Sequence, residues 1–224
     1  MAPLLEAVDL DKRYPRAGAL VEVLNGCSLS VAPGEAVAVM GPSGSGKSTL
    51  LNILGGLDVP DAGVVRHDGA VLDHADPRAM SVWRSSGVGF VFQFHFLLPD
   101  FTARENLLVP VQARRPVTAD DRARADHLLA AMGLAPRADH LPGELSGGEQ
   151  QRVAVARAFM NRPRVVLADE PFGNLDRERG VELGDLLFRL RREEGTALVI
   201  VTHDPALAAR ADRTLVLRGG RLEG

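Results

Sequence analysis

Residues 36–49 read AVAVMGPSGSGKST, and the fold follows from them. The apolar run at 36–40 has the length and continuity of a strand covered on both faces, as in a parallel sheet flanked by helices. It breaks at Gly41-Pro42-Ser43-Gly44-Ser45-Gly46-Lys47-Ser48, which fits G-x-x-x-x-G-K-[ST], and STLLNIL follows with a helical pattern. Strand, glycine-rich loop and helix in that order are the context this pattern requires. The glycines let backbone N–H groups turn inward around phosphate oxygens, and the helix presents the positive end of its dipole to the same anion. Lys47 is then placed for the β- and γ-phosphates, and the Ser48 hydroxyl for Mg2+.

Three further apolar runs have the same character: VGFVF at 88–92, VVLA at 165–168 and ALVIV at 197–201. Helical stretches separate them. Residues 47–57 follow the first run directly, and 177–194 carry Val181, Leu183, Leu186, Leu187 and Leu190 at helical spacing. Both sit where a parallel crossover needs a helix, so the pattern predicts a doubly wound α/β fold. From about 102 to 160 the periodicity is helical, punctuated by Pro110, Pro116, Pro136 and Pro142. This predicts one domain over 1–224, with an α/β core at about 1–92 and 163–224 and an inserted helical subdomain at about 93–162. VEVLNGCSLSV at 21–31 reads as part of an N-terminal antiparallel β region.

A Mg2+–nucleotide site needs a carboxylate at the end of a neighbouring strand, and VVLADE ends in Asp169 and Glu170. Ligands bind at the carboxyl ends of parallel strands. Asp169 suits a link to the Ser48-bound metal, and Glu170 suits a general base for the attacking water. ALVIVTHDP ends likewise in His203, whose neutral imidazole offers one donor and one acceptor to a γ-phosphate and to the water or base. At 145–149, LSGGE starts another helix, with Ser146 and Glu149 spaced as a capping box. Two glycines in a first helical turn cost up to ~1 kcal/mol each relative to alanine. They make sense if an anion approaches the backbone of Gly147 and Gly148 at the positive end of the helix.

With 224 residues, 46% hydrophobic and 25% charged, the chain can bury a sizeable core, and disordered and fibrous classes are excluded. A net charge of −3 gives no global attraction to nucleic acid or anionic lipid. Cys27 is the sole cysteine, which excludes an intrachain disulfide and a cysteine-cluster metal site and fits a reducing cytosol. No run approaches the ~18 to 20 apolar residues that span a bilayer, so any membrane role is borrowed from a partner.

In this order the motifs resemble the nucleotide-binding domain of ATP-binding cassette (ABC) transporters over essentially the whole chain. Gly41 to Thr49 corresponds to the family's Walker A motif, Gln93 to its Q-loop, 145–149 to its signature and 165–170 to Walker B. Gly173-Asn-Leu-Asp176 corresponds to the D-loop, His203 to the switch histidine, and Tyr14 to the aromatic that stacks on adenine. The resemblance implies a P-loop NTPase fold that hydrolyses ATP with Mg2+. Glu170, His203 and Gln93 would serve the reaction, and Ser48, Gln93 and Asp169 the metal. Tyr14 and Gly41, Pro42, Ser43, Gly44, Ser45, Gly46, Lys47, Ser48 and Thr49 would bind the nucleotide. A head-to-tail homodimer is also implied, in which Ser146, Gly147, Gly148 and Glu149 of one chain meet the ATP held by the other.

The wording of QFHFLLPDFTARENLLVP at 93–110 and ELSGGEQQRVAVARA at 144–158 is similar to a group of lipoprotein-releasing (LolD-type), macrolide-exporter (MacB-type) and cell-division (FtsE-type) ATPases, the first above all. This implies an ATPase that drives release of outer-membrane-directed lipoproteins, peripheral on the cytoplasmic side of the inner membrane. Its partners would be two transmembrane subunits (LolC/LolE-like) that handle the lipoprotein cargo, with no nucleic acid. MacB-like and FtsE-like roles are the alternatives, ahead of a soluble non-transport ABC ATPase. In such domains a groove beside the Q-loop receives a helix of the membrane subunit. Part of the surface of Phe94, Phe96, Leu97, Leu98 and Phe101 is therefore expected to meet a partner, with His95, Pro99, Asp100 and Glu105 as its polar counterpart. Phe172 departs from the threonine usual in this group.

Overall fold

A computed structural model describes residues 2–16 and 18–224. The chain begins with two long strands, β1 (Leu5–Arg16) and β2 (Ala19–Val31), followed by β3 (Ala36–Met40), the glycine-rich loop and α1 (Lys47–Leu54). Next come β4 (Ala62–His67), β5 (Ala70–Val71), α2 (Pro77–Val82), a π-helical turn at Trp83–Gly87 and β6 (Val88–Val91). Helices α3 (Ala103–Gln112), α4 (Ala119–Ala131) and α5 (Gly147–Ala158) precede β7 (Val165–Asp169). The chain finishes with α6 (Arg177–Glu194), β8 (Ala197–Val201), α7 (Pro205–Ala208), β9 (Arg213–Arg218) and β10 (Arg221–Glu223).

The main sheet has six strands in the order β10-β9-β3-β8-β7-β6, parallel except for the β9–β10 pair. A second, antiparallel sheet runs β2-β1-β4-β5. Along the central strands successive side chains feed two different cores, as the period of two dictates. Val37, Val39, Leu167 and Val199 pack with Leu50, Ile53 and Leu54 of α1 and with Leu5, Leu10 and Leu24 of the antiparallel sheet. Ala38, Val166, Ala168 and Ile200 pack with Leu107, Leu128, Val153, Phe159 and Leu187 from the helical side. Helices α3 to α5 thus share a core with one face of the sheet.

Helix ends follow local chemistry. α1 stops at Leu54, short of the expected 57, because Gly55 caps it and Gly56 takes a left-handed φ of 67°. α6 keeps its expected bounds: the Asp176 side chain accepts from the Arg179 N–H at its start, and Gly195 closes it in the left-handed region. Thr102 and Thr118 begin α3 and α4 with capping boxes.

One ion pair, its side chains 9 and 15% exposed, ties the helical side together. The Arg124 guanidinium donates to the Glu194 carboxylate at 2.9 and 3.1 Å and to the carbonyls of Phe159 and Met160 at 2.7 and 2.9 Å. Removing one partner of a buried pair costs about 3 kcal/mol, whereas an exposed pair contributes less than about 1 kcal/mol. Urea unfolding is expected to show that loss for Arg124→Met, and little change for Arg13→Met, whose pairing with Glu22 is exposed.

Candidate functional site

Because β3, β6, β7 and β8 run parallel, their exits at Gly41, Phe92, Glu170 and Thr202 share one edge of the sheet. That edge is where ligands bind in such sheets. The loop after β3 is shaped for an anion. Gly46 has φ 102°, and a Cβ there would lie 2.8 Å from the Val23 carbonyl oxygen. A Cβ on Gly41 would lie 2.6 Å from the Leu217 carbonyl oxygen. Only glycine fits at either position. The Lys47 ammonium donates to the carbonyls of Gly41 and Pro42 at 2.9 and 3.0 Å, and the buried Ser45 hydroxyl has no partner. α1 has no side-chain cap and no acid in its first turn, so its positive end is uncompensated. A stranded hydroxyl, a buried cation and free N–H groups form a donor set suited to phosphate.

Burial pushes the Asp169 carboxyl above its usual range and the charge of Glu170 adds to this, while the neighbouring Ser48 hydroxyl and Lys47 oppose it. This hydroxyl and carboxylate are the hard oxygen donors Mg2+ takes. Glu170, the next residue, has a left-handed φ of 41°, a conformation costing roughly 1–2 kcal/mol for an L-residue. Its N–H is held by the Val201 carbonyl at 3.0 Å. The Glu170 carboxylate accepts from the His203 backbone N–H at 3.3 Å and faces His203 Nδ1 at 2.9 Å. Gln93 is engaged elsewhere: its Nε2 donates to Asn174 Oδ1 at 3.1 Å, and Asn174 Nδ2 donates back to the Gln93 carbonyl at 3.1 Å. Among the described residues no hydrogen bond joins Gln93 to Ser48 or Asp169.

Tyr14 lies beside α1, with its phenol meeting Thr49 and donating to Asp58. Lys12 sits over the ring, 5.0 Å from its centroid, and donates to Asp58 at 2.9 Å. Lys12 and Asp58 were not legible as site residues, since 44 positions separate Tyr14 from Asp58. Asn174 was legible only as part of the GNLD segment.

Ser146 caps α5, and its backbone N–H and hydroxyl, aided by Arg137, hold the Glu149 carboxyl below the usual range. A Cβ on Gly147 would touch nothing within 4 Å, and one on Gly148 would meet only Arg179 Cδ at 3.9 Å. No contact within the chain demands glycine there. Phe94 and Phe96 are 62 and 64% exposed, while Leu97 packs on the core. Arg157 supports this segment from beneath, donating to the carbonyls of His95 and Phe96 at 2.8 and 2.7 Å. Glu105 closes the capping box of α3 through Thr102. Phe172 packs inward on the core beside Gly180.

The raised Asp169 pKa has a consequence for stability. A carboxyl whose folded pKa exceeds its unfolded value disfavours the fold when ionised, and the cost fades as pH falls through that range. Asp169→Asn is therefore expected to raise the melting temperature of the ligand-free protein at neutral pH, by an amount that shrinks toward about pH 4. Thermal melts across pH check this.

Residues 24–173 match the family model described as ABC transporter. The lipoprotein-releasing system ATP-binding protein LolD of Bordetella pertussis (strain Tohama I) is 54% identical over 221 residues, covering 99% of this chain and 96% of that protein. The protein of the same name from Bordetella avium (strain 197N) is 52% identical over 218 residues, 97% of this chain and 95% of that protein. Among solved structures, the dimeric post-hydrolysis state of the ATP-binding cassette MJ0796 bound to ADP and Pi matches with a TM-score of 0.89 and 38% identity. The match covers 98% of this chain and 97% of that one. The cbiO1 protein of Clostridium perfringens, part of the ABC transporter complex cbiONQ, matches with a TM-score of 0.88 and 27% identity, covering 100% and 88%. The phosphate loop, the strand-edge carboxylates and these matches agree, and the chain belongs to the ABC transporter family as one of its ATP-binding domains.

Proposed function

We propose that this chain is the ATP-hydrolysing subunit of an ABC complex that releases outer-membrane-directed lipoproteins from the inner membrane. The observation that carries the chemistry is the Glu170–His203 pair, 2.9 Å apart, on the same sheet edge as the Ser48–Asp169 pair and the phosphate loop. The cargo reading is supported by the 54% identity to LolD along nearly the full chain.

The backbone N–H groups of 43–49 and the Lys47 ammonium hold the β- and γ-phosphates of ATP, and Tyr14 stacks on the adenine through the ring face opposite Lys12. Ser48 and Asp169 are the residues that would hold Mg2+, joined by Gln93 once it leaves Asn174. When bound, the metal neutralises charge on the phosphate oxygens. Glu170 accepts the proton of the attacking water, and His203 fixes the carboxylate that does so. The products are ADP and phosphate.

The open N-terminus of α5, with Ser146, Gly147, Gly148 and Glu149, serves the ATP of a second copy in a head-to-tail homodimer. The bare glycines let the partner's γ-phosphate reach the α5 backbone, so ATP joins the two copies and hydrolysis removes the joint. Among the described residues no helix is long and apolar enough to cross a membrane. Exposed Phe94, Phe96 and Leu98 supply the surface for two LolC/LolE-like transmembrane subunits, which handle the lipoprotein and hold the chain on the cytoplasmic side of the inner membrane. The core at about 1–92 and 163–224 carries the nucleotide, and the helical subdomain at about 93–162 carries the partner surface.

Glu170→Gln is expected to retain ATP, trap the closed dimer and lose about 100-fold in turnover. Affinity purification of that variant from native membranes with ATP and Mg2+ is expected to bring down two related membrane subunits with large periplasmic domains, plus lipoproteins. A single four-helix subunit with a cell-wall hydrolase would instead assign the chain to cell division. Ser146→Arg is expected to leave ATP binding by the monomer intact and to abolish dimerisation on size-exclusion chromatography. Loss of monomer binding would overturn the role of α5 in trans.

A further inference from the structure

Gln151 lies in α5, five residues after Ser146, and is 1% exposed. Its Nε2 donates to the Phe92 carbonyl at 3.0 Å and to the Pro171 carbonyl at 2.5 Å. Both acceptors are carbonyl oxygens, so the nitrogen must face them; a flipped amide would set oxygen against oxygen. Phe92 is the residue before Gln93, and Pro171 is the residue after Glu170. Among the described residues the Gln151 Oε1 is buried without a partner. A methionine would fill the same space without stranding an acceptor, so packing alone does not account for an amide here.

We propose that Gln151 is a positioning residue: it clamps the exits of β6 and β7 to α5, so that the loops bearing Gln93 and Glu170 keep a fixed setting relative to Ser146–Glu149. One amide spans three elements that are distant in sequence, 59 residues from Phe92 and 20 from Pro171. Until Gln93 turns to the metal, the two exits are also joined by the reciprocal Gln93–Asn174 bonds. A displacement of α5 when two copies close is therefore passed to both loops together. The inference rests on the roles given above to Gln93 and Glu170.

Gln151→Met keeps the side-chain length and removes both donors. In the full chain with its membrane partners, kcat for ATP hydrolysis is expected to fall about tenfold or more, with KM for ATP within about threefold of wild type. Amide hydrogen exchange is expected to rise at 92–96 and 170–176 while 36–40 and 197–201 keep wild-type protection. Gln151→Glu donates one hydrogen bond when protonated and repels both carbonyls when ionised. Its rate relative to wild type is expected to rise as pH is lowered from about 8 to about 6, and this comparison carries the test if the methionine variant does not fold. An unchanged kcat in folded Gln151→Met, a loss accompanied by faster exchange across the whole sheet, or a flat pH ratio for Gln151→Glu overturns the proposal. Glu170→Gln run alongside separates the causes: undiminished turnover in that variant faults the site assignment and not the clamp.

Discussion

Strands β3, β7 and β8 are buried on both faces along nearly their whole length, and that burial constrains everything else in the molecule. Such strands accept only apolar side chains and satisfy their backbone within the sheet. Polar chemistry is therefore pushed to the last residue of these strands, as at Asp169, and to those just beyond their carboxyl ends. Gly41, Glu170 and Thr202 follow the last residues of three of these parallel strands, and Phe92 follows the fourth. The reacting groups are neighbours because the sheet is parallel, and they are separated in sequence because each parallel connection must travel through a helix.

The site holds several features that are unfavourable in themselves. A buried ammonium rests on two carbonyls, a hydroxyl has no partner, a carboxyl is ionised against its burial, and Glu170 occupies a strained backbone. In the proposed function each would be relieved or used by the nucleotide and its metal, the first two by phosphate oxygens and the third by a cation. The same groups in a packed turn would only weaken the fold. Their concentration within a few residues of one sheet edge separates a binding site from a loop that happens to be rich in glycine.

Much of this was legible in the sequence, and what was not has physical reasons. The buried strands show because both of their faces are apolar, and α6 shows because Asp176 and Gly195 mark its ends. β4 and β5 do not, since Val65 is the single fully buried residue of their eight. α1 was read three residues too long because Leu57 continues the apolar pattern past the glycines that end the helix. Within the site, residue types and strand-end positions pointed to Asp169 with Ser48 and to Glu170 with His203, but other pairings were not legible. The pairing of Gln93 with Asn174 spans 81 residues, and the setting of Tyr14 depends on Asp58, 44 residues away in the loop between α1 and β4. Such contacts are set by topology, and no local pattern records them.

Phe94 and Phe96 also bear on how an assembly containing this chain is kept in proportion. Their rings stand in water, held out by a backbone that Arg157 fastens from below. A copy synthesised in excess has nothing to cover them, and an uncovered aromatic patch is the kind of surface chaperones and proteases act on. The same side chains that would couple the ATPase to a membrane thus label an orphan subunit for removal.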